Sequence, residues 1–578
     1  MSTQQDIFDH LTFLYGRERG SSVAKQLMSL LEGFRKRNPQ LAESVTALAD
    51  RLSERDAFLI TYADQITEPE QPQLRTLARF LRACLSDSIG GIHLLPFFLF
   101  SSDDGFSVSD FWKVDPRLGT WNDVAVLGKT FRLMFDAVIN HVSRQSAWFQ
   151  GFIRGEQPYT DYFICADPHS DLSRVTRPRT SPLLTPVETT RGIKHVWTTF
   201  SADQIDLNYR NPEVLLKIIE LLLFYAEQGV EIIRLDAIAY LWKEPGTACI
   251  HLPQAHRIVK LFRSVFDEVA PGIMLLTETN VPHIDNVSYF GNGADEAQMV
   301  YNFALAPLVL HSFHTGDAQR LTDWAASLTT PSPSTTFFNF IASHDGIGVM
   351  PARGVLSESE IQELVRRTLA HGGKVSSKSN PDGSESPYEL NITLFDALND
   401  PQAPDPVLDV RRFLASQVIM LSLAGVPGIY VHSLFGSRNC HSCVAETGRS
   451  RSINREKFQL PAIDAELADP KSLKHRVLAG MKQLLKIRRG QVEFHPNAEQ
   501  RVLSVGKGLF ALVRGGRLLV VVNVTAERQD IDLGLSEVGL PLSDTWRDLI
   551  SERALDVSGG RLSLPVEAYQ SLWLKPSG

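Results

Sequence analysis

Three acids in this sequence each follow an apolar run: Asp236 after "IIRL", Glu278 after "MLLT" and Asp345 after "FNFIASH". Taken singly, an acid at the end of a strand is an ordinary cap for the helix that follows. Three brought to one face could do chemistry. Two carboxyls with separated pKa values can divide a retaining transfer at a glycosidic bond, one attacking while the other donates and then accepts a proton. A third can hold sugar hydroxyls. Arg234 stands two residues before Asp236, and burying either charge alone would be costly. An adjacent cation is expected to keep the Asp236 carboxylate ionised and aimed.

Such residues must be held by something rigid. From "AFLITYADQI" onward, short apolar runs alternate with helical periodicity. The strand-like runs are "IGGIHLLPFF", "RLMFDAVINHV", "VEIIRLDA", "GIMLLTETN", "MVYNFA", "STTFFNFIASHD" and "AGVPGIYVHS". Between several of them lie amphipathic stretches such as "TLARFLRACL", "PEVLLKIIELLLFYAEQG" and "HRIVKLFRSVFDEV". This alternation predicts a closed (β/α)8 barrel, whose active sites form at the C-terminal ends of the strands. His141, Asp236, Glu278, His344 and Asp345 all fall where strands are expected to stop.

Other segments interrupt the alternation. Residues 1–56 read as a helical extension through "SSVAKQLMSLLEGFRKR" and "LAESVTALADRLSERD". The barrel is expected over 57–142 and 201–490, with a loop-rich subdomain inserted at 143–200 and a second, polar insertion at 346–406. From 491 to 578 the pattern becomes short strands with turn signals, predicting a C-terminal antiparallel β domain.

The 578 residues are 43% hydrophobic and 21% charged with a formal net charge of −8, which argues against nucleic-acid binding. The stretch "MSTQQDIFDHLTFLYG" lacks the cationic and apolar regions of a secretory signal, and no apolar run is long enough to span a membrane. A cytoplasmic enzyme is the expectation. Five cysteines form no disulfide framework; Cys440 and Cys443 in "NCHSCVAETG" are expected to be reduced thiols, with no metal.

Four segments carry a more specific signal. "DAVINHV" (136–142), "IIRLDAIAY" (232–240), "LLTETN" (275–280) and "FIASHDG" (340–346) resemble, in order and spacing, the four sequence regions of the α-amylase superfamily. The resemblance spans most of the barrel. It implies retaining chemistry on α-glucosidic bonds, with Asp236 as nucleophile, Glu278 as general acid/base, Asp345 as the third acid, and His141, Arg234 and His344 lining a glucose subsite. "FSSDDGFSVSDFWKVDPRLGTWNDV", "YLWKEPGTACIHLP" and "GRSRSINREKF" look like the sucrose phosphorylase branch. That likeness implies Asp103 and Arg455 on the glucose O4 side, Phe106 as an apolar platform and Tyr240 in the same pocket.

The length, the helical extension and "SRNC…TGRSRSINREK" are most similar to the glucosylglycerate phosphorylase group of this branch. The acceptor loop "SPYELN" departs from the Tyr-Gln pair usual in sucrose phosphorylases and lacks the preceding Asp; Tyr388, Glu389 and Asn391 stand there. An anionic acceptor such as glycerate needs cations, and Arg353, Lys374 and Lys378 of the second insertion are the expected source, with Arg174, Arg177, Arg179 and Arg191 of the first insertion next in line. The expected partners are small sugars and inorganic phosphate as co-substrate, with no other cofactor, no nucleic acid and no membrane; a homodimer is left open. Sucrose or glucosylglycerol phosphorolysis, an amylase-fold hydrolase or transglucosidase, and a non-catalytic scaffold are the alternatives.

Overall fold

The computed structural model describes residues 3–43, 50–380 and 382–577. Eight parallel strands close into a barrel: β1 (Phe58–Thr61), β2 (Gly91–Leu94), β3 (Arg132–Ala137), β4 (Ile232–Leu235), β5 (Met274–Thr277), β6 (Met299–Tyr301), β7 (Thr336–Asn339) and β8 (Val426–Tyr430). Each hydrogen-bonds to its neighbours in chain order, and β1 closes the ring by pairing with both β2 and β8. Almost every strand residue is buried, because helices cover the outside and side chains fill the inside. All the expected barrel strands form.

The register decides which side chains meet. Arg234 on β4 lies directly beside Asp136 on β3, so two opposite charges face each other inside the barrel. Strand residues one step further along, Asp236 and Glu278, leave the ladder just beyond β4 and β5.

Helices α1 (Thr3–Tyr15) and α2 (Arg17–Arg37) pack against the barrel helices Pro253–Val269 and Pro212–Glu227 through Ile7, Leu11, Leu27, Leu31 and Phe34. Where the two cross, a Cβ on Gly20 would lie 2.7 Å from the Leu11 carbonyl oxygen, so only glycine permits that approach. The helix expected over residues 41–56 is only partly realised. Residues 44–49 lie outside those described, and 51–56 form turn and extended backbone. There Asp56 accepts from the Ser53 N–H at 2.7 Å and from Arg132 at 2.7 Å, contacts that a helix would break.

Residues 143–200 carry a helix, Ala147–Arg154, and an antiparallel pair, Leu184–Thr189 with Gly192–Trp197. Further on, Ile347–Gly348, Glu385–Asn391 and Lys374–Ser379 form a three-stranded antiparallel sheet in that order. The two inserted segments touch above the barrel mouth, where Arg177 bridges Ser379. The C-terminal part is antiparallel β: Gln500–Leu503, Leu509–Arg514, Leu518–Asn523, Ser571–Pro576, Thr545–Asp548 and Ala554–Asp556 form one sheet in that order, beside the pair Gln529–Gly534 and Arg561–Val566. Among the described residues, no helix is long and apolar enough to cross a membrane.

Candidate active site

Asp236, Glu278 and Asp345 follow β4, β5 and β7 and line one cavity of about 360 Å³ at the C-terminal mouth of the barrel. Beneath them runs a buried chain of charge. His93 Nε2 lies 2.7 Å from Asp136 Oδ2, and Arg234 Nη1 bonds both Asp136 and, at 2.9 Å, Asp236 Oδ1. Arg234 is 2% exposed and does not line the cavity; it supports the floor from below, a correction to its expected place in the sugar pocket. Its guanidinium also faces the rings of Tyr301 and Phe106, 5.3 and 5.9 Å from their centroids.

Because Arg234 is shared with Asp136, it does not hold Asp236 low as the sequence reading expected. Burial opposes ionisation at Asp136, but Arg234 and then His93 outweigh it, so that carboxyl stays low. Asp236 is pushed up to about 7, chiefly by burial, against Arg234 and reinforced by Asp136 and Asp345. Glu278 is pushed up to about 7 as well, again chiefly by burial, with Asp236 and Asp345 adding to it against Arg234. The two titrate as a pair that carries about one proton near neutral pH. Hydrogen bonding decides where it sits. Asp236 accepts from a guanidinium, whereas Glu278 accepts only the Ala237 N–H at 3.1 Å. The anion therefore belongs to Asp236 and the proton to Glu278. Ala237 holds that N–H in place with a left-handed backbone, φ 49°, a strained conformation for a non-glycine residue.

Asp345 is the opposite case. Burial works against its charge, but the guanidiniums of Arg451 and Arg455 hold it well below the usual carboxylate range. Arg451 Nη1 lies 2.7 Å from Asp345 Oδ1.

The sugar-sized end of the cavity is walled by Asp103, Phe106, His141, Tyr240, His344 and Arg455, all of which the sequence placed there. His344 stacks on Phe106, centroids 4.8 Å apart, and burial pushes its imidazole down to about 3, so it is neutral. His141 Nε2 lies 2.9 Å from the Phe106 carbonyl, with Asn140 at its other nitrogen. Arg455 pairs with Asp104 at 2.6 Å, more closely than with Asp103 at 3.9 Å. Gly105 enables the tight loop: it has φ 109°, and a Cβ there would meet the Pro96 carbonyl oxygen at 2.4 Å. Buried polar atoms usually find partners. Here Asn280 Oδ1, His344 Nδ1 and Arg455 Nη2, on three cavity-lining residues, have no hydrogen-bond partner among the described residues.

The acceptor side departs from expectation. Tyr388 and Glu389 line the cavity, but Asn391 is buried behind them, donating to Ser376 Oγ at 2.8 Å. Arg353, Lys374 and Lys378 do not line it. Arg353 pairs with Glu358 at 3.7 Å, Lys378 donates to Asn380 at 3.1 Å, and Lys374 is exposed. The physical reason is that the sheet presents Ser376, Tyr388 and Glu389 to the cavity, Tyr388 being the bulged residue opposite Ser376 and Ser377, so these side chains fill that wall. Of the arginines in the first insertion, Arg179 alone lines the cavity, packed between the rings of Tyr388 and Phe200 at 5.3 and 5.9 Å.

Sequence reasoning missed Arg449 and Arg451, although "GRSRSINREKF" contains both. Arg451 makes a bidentate pair with Glu389, at 2.6–3.1 Å, as well as its bond to Asp345. Arg451 lies on a short 3₁₀ segment, Ser450–Asn454, Arg455 follows it directly, and both reach Asp345. Cys440 and Cys443 are joined as a disulfide with Cα atoms 5.3 Å apart, which overturns the expectation of reduced thiols. The short helix His441–Thr447 folds between them and Arg449, bringing the two sulfurs within bonding reach.

Comparison with known proteins agrees with this geometry. Residues 88–355 match the alpha amylase catalytic domain. The chain is 53% identical over 513 residues to a glucosylglycerate phosphorylase of Allomeiothermus silvanus, covering 89% of this chain and 90% of that one. It is 46% identical over 575 residues to a glucosylglycerate phosphorylase of Spirochaeta thermophila, covering 98% and 97%. Among solved structures, the crystal structure of sucrose 6F-phosphate phosphorylase from Thermoanaerobacter thermosaccharolyticum superposes with a TM-score of 0.71 at 25% identity, covering 81% of this chain and 94% of that one.

Proposed function

The chain belongs to the sucrose phosphorylase-like branch of the α-amylase family, and from that premise we propose that it is a retaining glycoside phosphorylase acting on 2-O-α-glucosylglycerate. One observation carries the reading: the Asp236–Glu278 pair shares its small cavity with Asp345 and a rim of four arginines. At about 360 Å³ the cavity is near the lower end of the range for small-molecule sites and suits a glucosyl unit plus a small acceptor, not a polymer.

Asp236 attacks the anomeric carbon while Glu278 passes its proton to the departing glycerate oxygen, leaving a glucosyl ester on Asp236. A phosphate oxygen then attacks the same carbon, the ester bond breaks, and the phosphate proton returns to Glu278. Two inversions retain the α configuration in glucose 1-phosphate. Asp345, held ionised by Arg451, and the neutral His344 bind glucose hydroxyls. Phosphate and the glycerate carboxylate use the rim cations in turn. Arg451 and Arg455 are engaged with carboxylates at short range and Arg179 reaches Glu389 only at 3.8 Å, while Arg449 has no ion pair among the described residues, so Arg449 and then Arg179 are the cavity's most available guanidiniums. Glucosylglycerate and phosphate are the only partners this chemistry needs, without metal or organic cofactor, in the cytoplasm.

The test is incubation with 2-O-α-glucosylglycerate, with and without phosphate, with sucrose in parallel. Glucose 1-phosphate should appear only with phosphate and faster from glucosylglycerate. Phosphate-independent release of glucose would make the protein a hydrolase, and faster phosphorolysis of sucrose would reassign the acceptor.

A further inference from the structure

One buried charge has no part in this chemistry. Lys243 is 4% exposed, seven residues beyond Asp236 on the loop that carries Tyr240. Its ammonium lies 2.5 Å from Asp206 Oδ2 and donates to Asn140 Oδ1 at 2.7 Å. A buried ammonium is tolerated only where its neighbours compensate it. Burial lowers the Lys243 pKa, and the Asp206 carboxylate opposes that.

Asp206 is itself a junction. It accepts from the Thr199 N–H at 2.9 Å, from Thr199 Oγ1 at 2.6 Å and from Asn140 Nδ2 at 3.2 Å. Each arm of this cluster leads to a different wall of the sugar pocket. Asn140 precedes His141 and contacts its Nδ1 at 3.3 Å. Thr199 precedes Phe200, whose ring lies 5.4 Å from His141 and 5.5 Å from Tyr240. Lys243 follows Tyr240. Three segments distant in sequence are thus tied at one ion pair: the end of β3, the return from the first insertion, and the loop after β4.

We infer that the Lys243–Asp206 pair is a positioning device for the donor sugar, setting the mutual placement of His141, Phe200 and Tyr240 without touching the substrate. The ammonium orients Asn140 by occupying its carbonyl oxygen, so the Asn140 amide group must face His141 Nδ1 and Asp206. His141 then carries its proton on Nε2, toward the pocket side and the Phe106 carbonyl. Of the three walls only Phe200 also touches the acceptor rim, through Arg179 at 5.9 Å, so the larger effect falls on the glucosyl end.

This inference rests on the reading that the cavity takes a glucosyl unit, and the experiment separates the two. Wild type, Lys243→Met and the milder Thr199→Val are compared for KM and kcat with glucose 1-phosphate and glycerate, alongside thermal melting and calorimetric binding of a glucose-mimicking iminosugar. A wild type that neither binds the iminosugar nor uses glucose 1-phosphate would defeat the functional reading itself. With an active wild type, Lys243→Met should raise KM for glucose 1-phosphate by about tenfold or more, since small misplacements near a reacting centre can cost up to ~10²-fold. The KM for glycerate, reached only through the Phe200–Arg179 contact, should move by a clearly smaller factor. Thr199→Val, which removes one hydroxyl donor to Asp206, should shift the same parameter in the same direction by less, and it decides the matter if Lys243→Met does not fold. A fall in kcat and melting temperature with both KM values unchanged would show that the pair only stabilises the fold, and would overturn the inference.

Discussion

The two ends of the cavity are built differently. At the glucosyl end, Asp236 and Glu278 leave barrel strands directly beyond the ladder, and the supports Arg234, Asp136 and His93 are buried inside the barrel, while Asp345 stands on the loop after β7. At the acceptor end, Arg179, Tyr388, Glu389 and Arg451 come from two insertions and a loop and are held to one another by ion pairs and ring contacts, with Arg449 beside them. A closed sheet sets side-chain placement by register, whereas a loop sets it by contacts that no local rule predicts. Chemistry is fixed at the first end, and choice of acceptor is adjustable at the second.

The largest expected effect lies at the fixed end. Asp236→Ala should lower turnover on glucosylglycerate by on the order of 10⁴-fold or more, since no glucosyl-enzyme can form. The melting temperature should stay near that of wild type. Residual turnover within tenfold would place the nucleophile elsewhere and end the contrast between the two regions.

Glu278→Gln sharpens the same contrast. Loss of the general acid should cost ~10²–10⁴-fold with glucosylglycerate, whose leaving group needs a proton, and far less with α-glucosyl fluoride. The sign of the pH dependence follows from the shared proton. Glu278 must be protonated for the first step, and its carboxyl is raised to about 7, so the glucosylation rate should fall as pH rises through that value. In Glu278→Gln this alkaline limb should vanish. Presteady-state glucosylation rates across pH 5–9 check both statements; an unchanged limb would assign the proton to another group.

The same division explains what was legible in the sequence. Every barrel strand was visible as an apolar run, and the acids at their ends followed directly, because period and topology dictate both. His93 and Asp136 were not recognised as supports, because their role exists only through register across β2, β3 and β4. Arg234 was read as a partner for Asp236 alone, since a linear sequence shows the neighbour two residues away and not the one on the adjacent strand. The acceptor cations were misassigned to Arg353, Lys374 and Lys378 because the side chains that a sheet, with its bulge at Tyr388, turns to the cavity cannot be read from local pattern. Arg451 was overlooked inside a segment quoted for its resemblance, and its two carboxylate partners, Asp345 and Glu389, lie more than sixty residues away.

That misassignment yields a third, smaller prediction. Arg449→Ala and Arg179→Ala should each raise KM for glycerate about tenfold or more, the cost of losing a charge-assisted hydrogen bond to a carboxylate. Arg353→Ala, Lys374→Ala and Lys378→Ala should stay within about twofold of wild type. Steady-state synthesis from glucose 1-phosphate and glycerate measures all five. A reversed ranking would restore the second insertion as the carboxylate site and would make that rim as readable as the floor.

The smallest effect concerns the disulfide. Cys440 caps the helix His441–Thr447, Cys443 lies in its first turn, and the Cys440 N–H donates to the Ile453 carbonyl at 2.8 Å, tying this turn to the segment that carries Arg449, Arg451 and Arg455. A second tie, from Thr447 Oγ1 to Ser452 Oγ at 2.7 Å, does not depend on the sulfurs. Arg455 is further anchored by the His344 carbonyl at 2.8 Å, and Asn454 by Ser343 and Asp345. Opening the disulfide with a dithiol therefore loosens the outer turn but leaves Arg451 and Arg455 seated on their carboxylates. The consequence should fall on Arg449, the exposed member of the three, and so on the acceptor alone. Reduced protein, or a Cys440→Ser, Cys443→Ser double variant, should show KM for glycerate raised only a few-fold, comparable to losing one modest hydrogen bond. Its kcat with α-glucosyl fluoride and phosphate-free water as acceptor should be unchanged. A comparable loss in that hydrolytic turnover would mean that the loop also shapes the floor, and the separation between a fixed and an adjustable end would fail at the point where the two regions share Arg451.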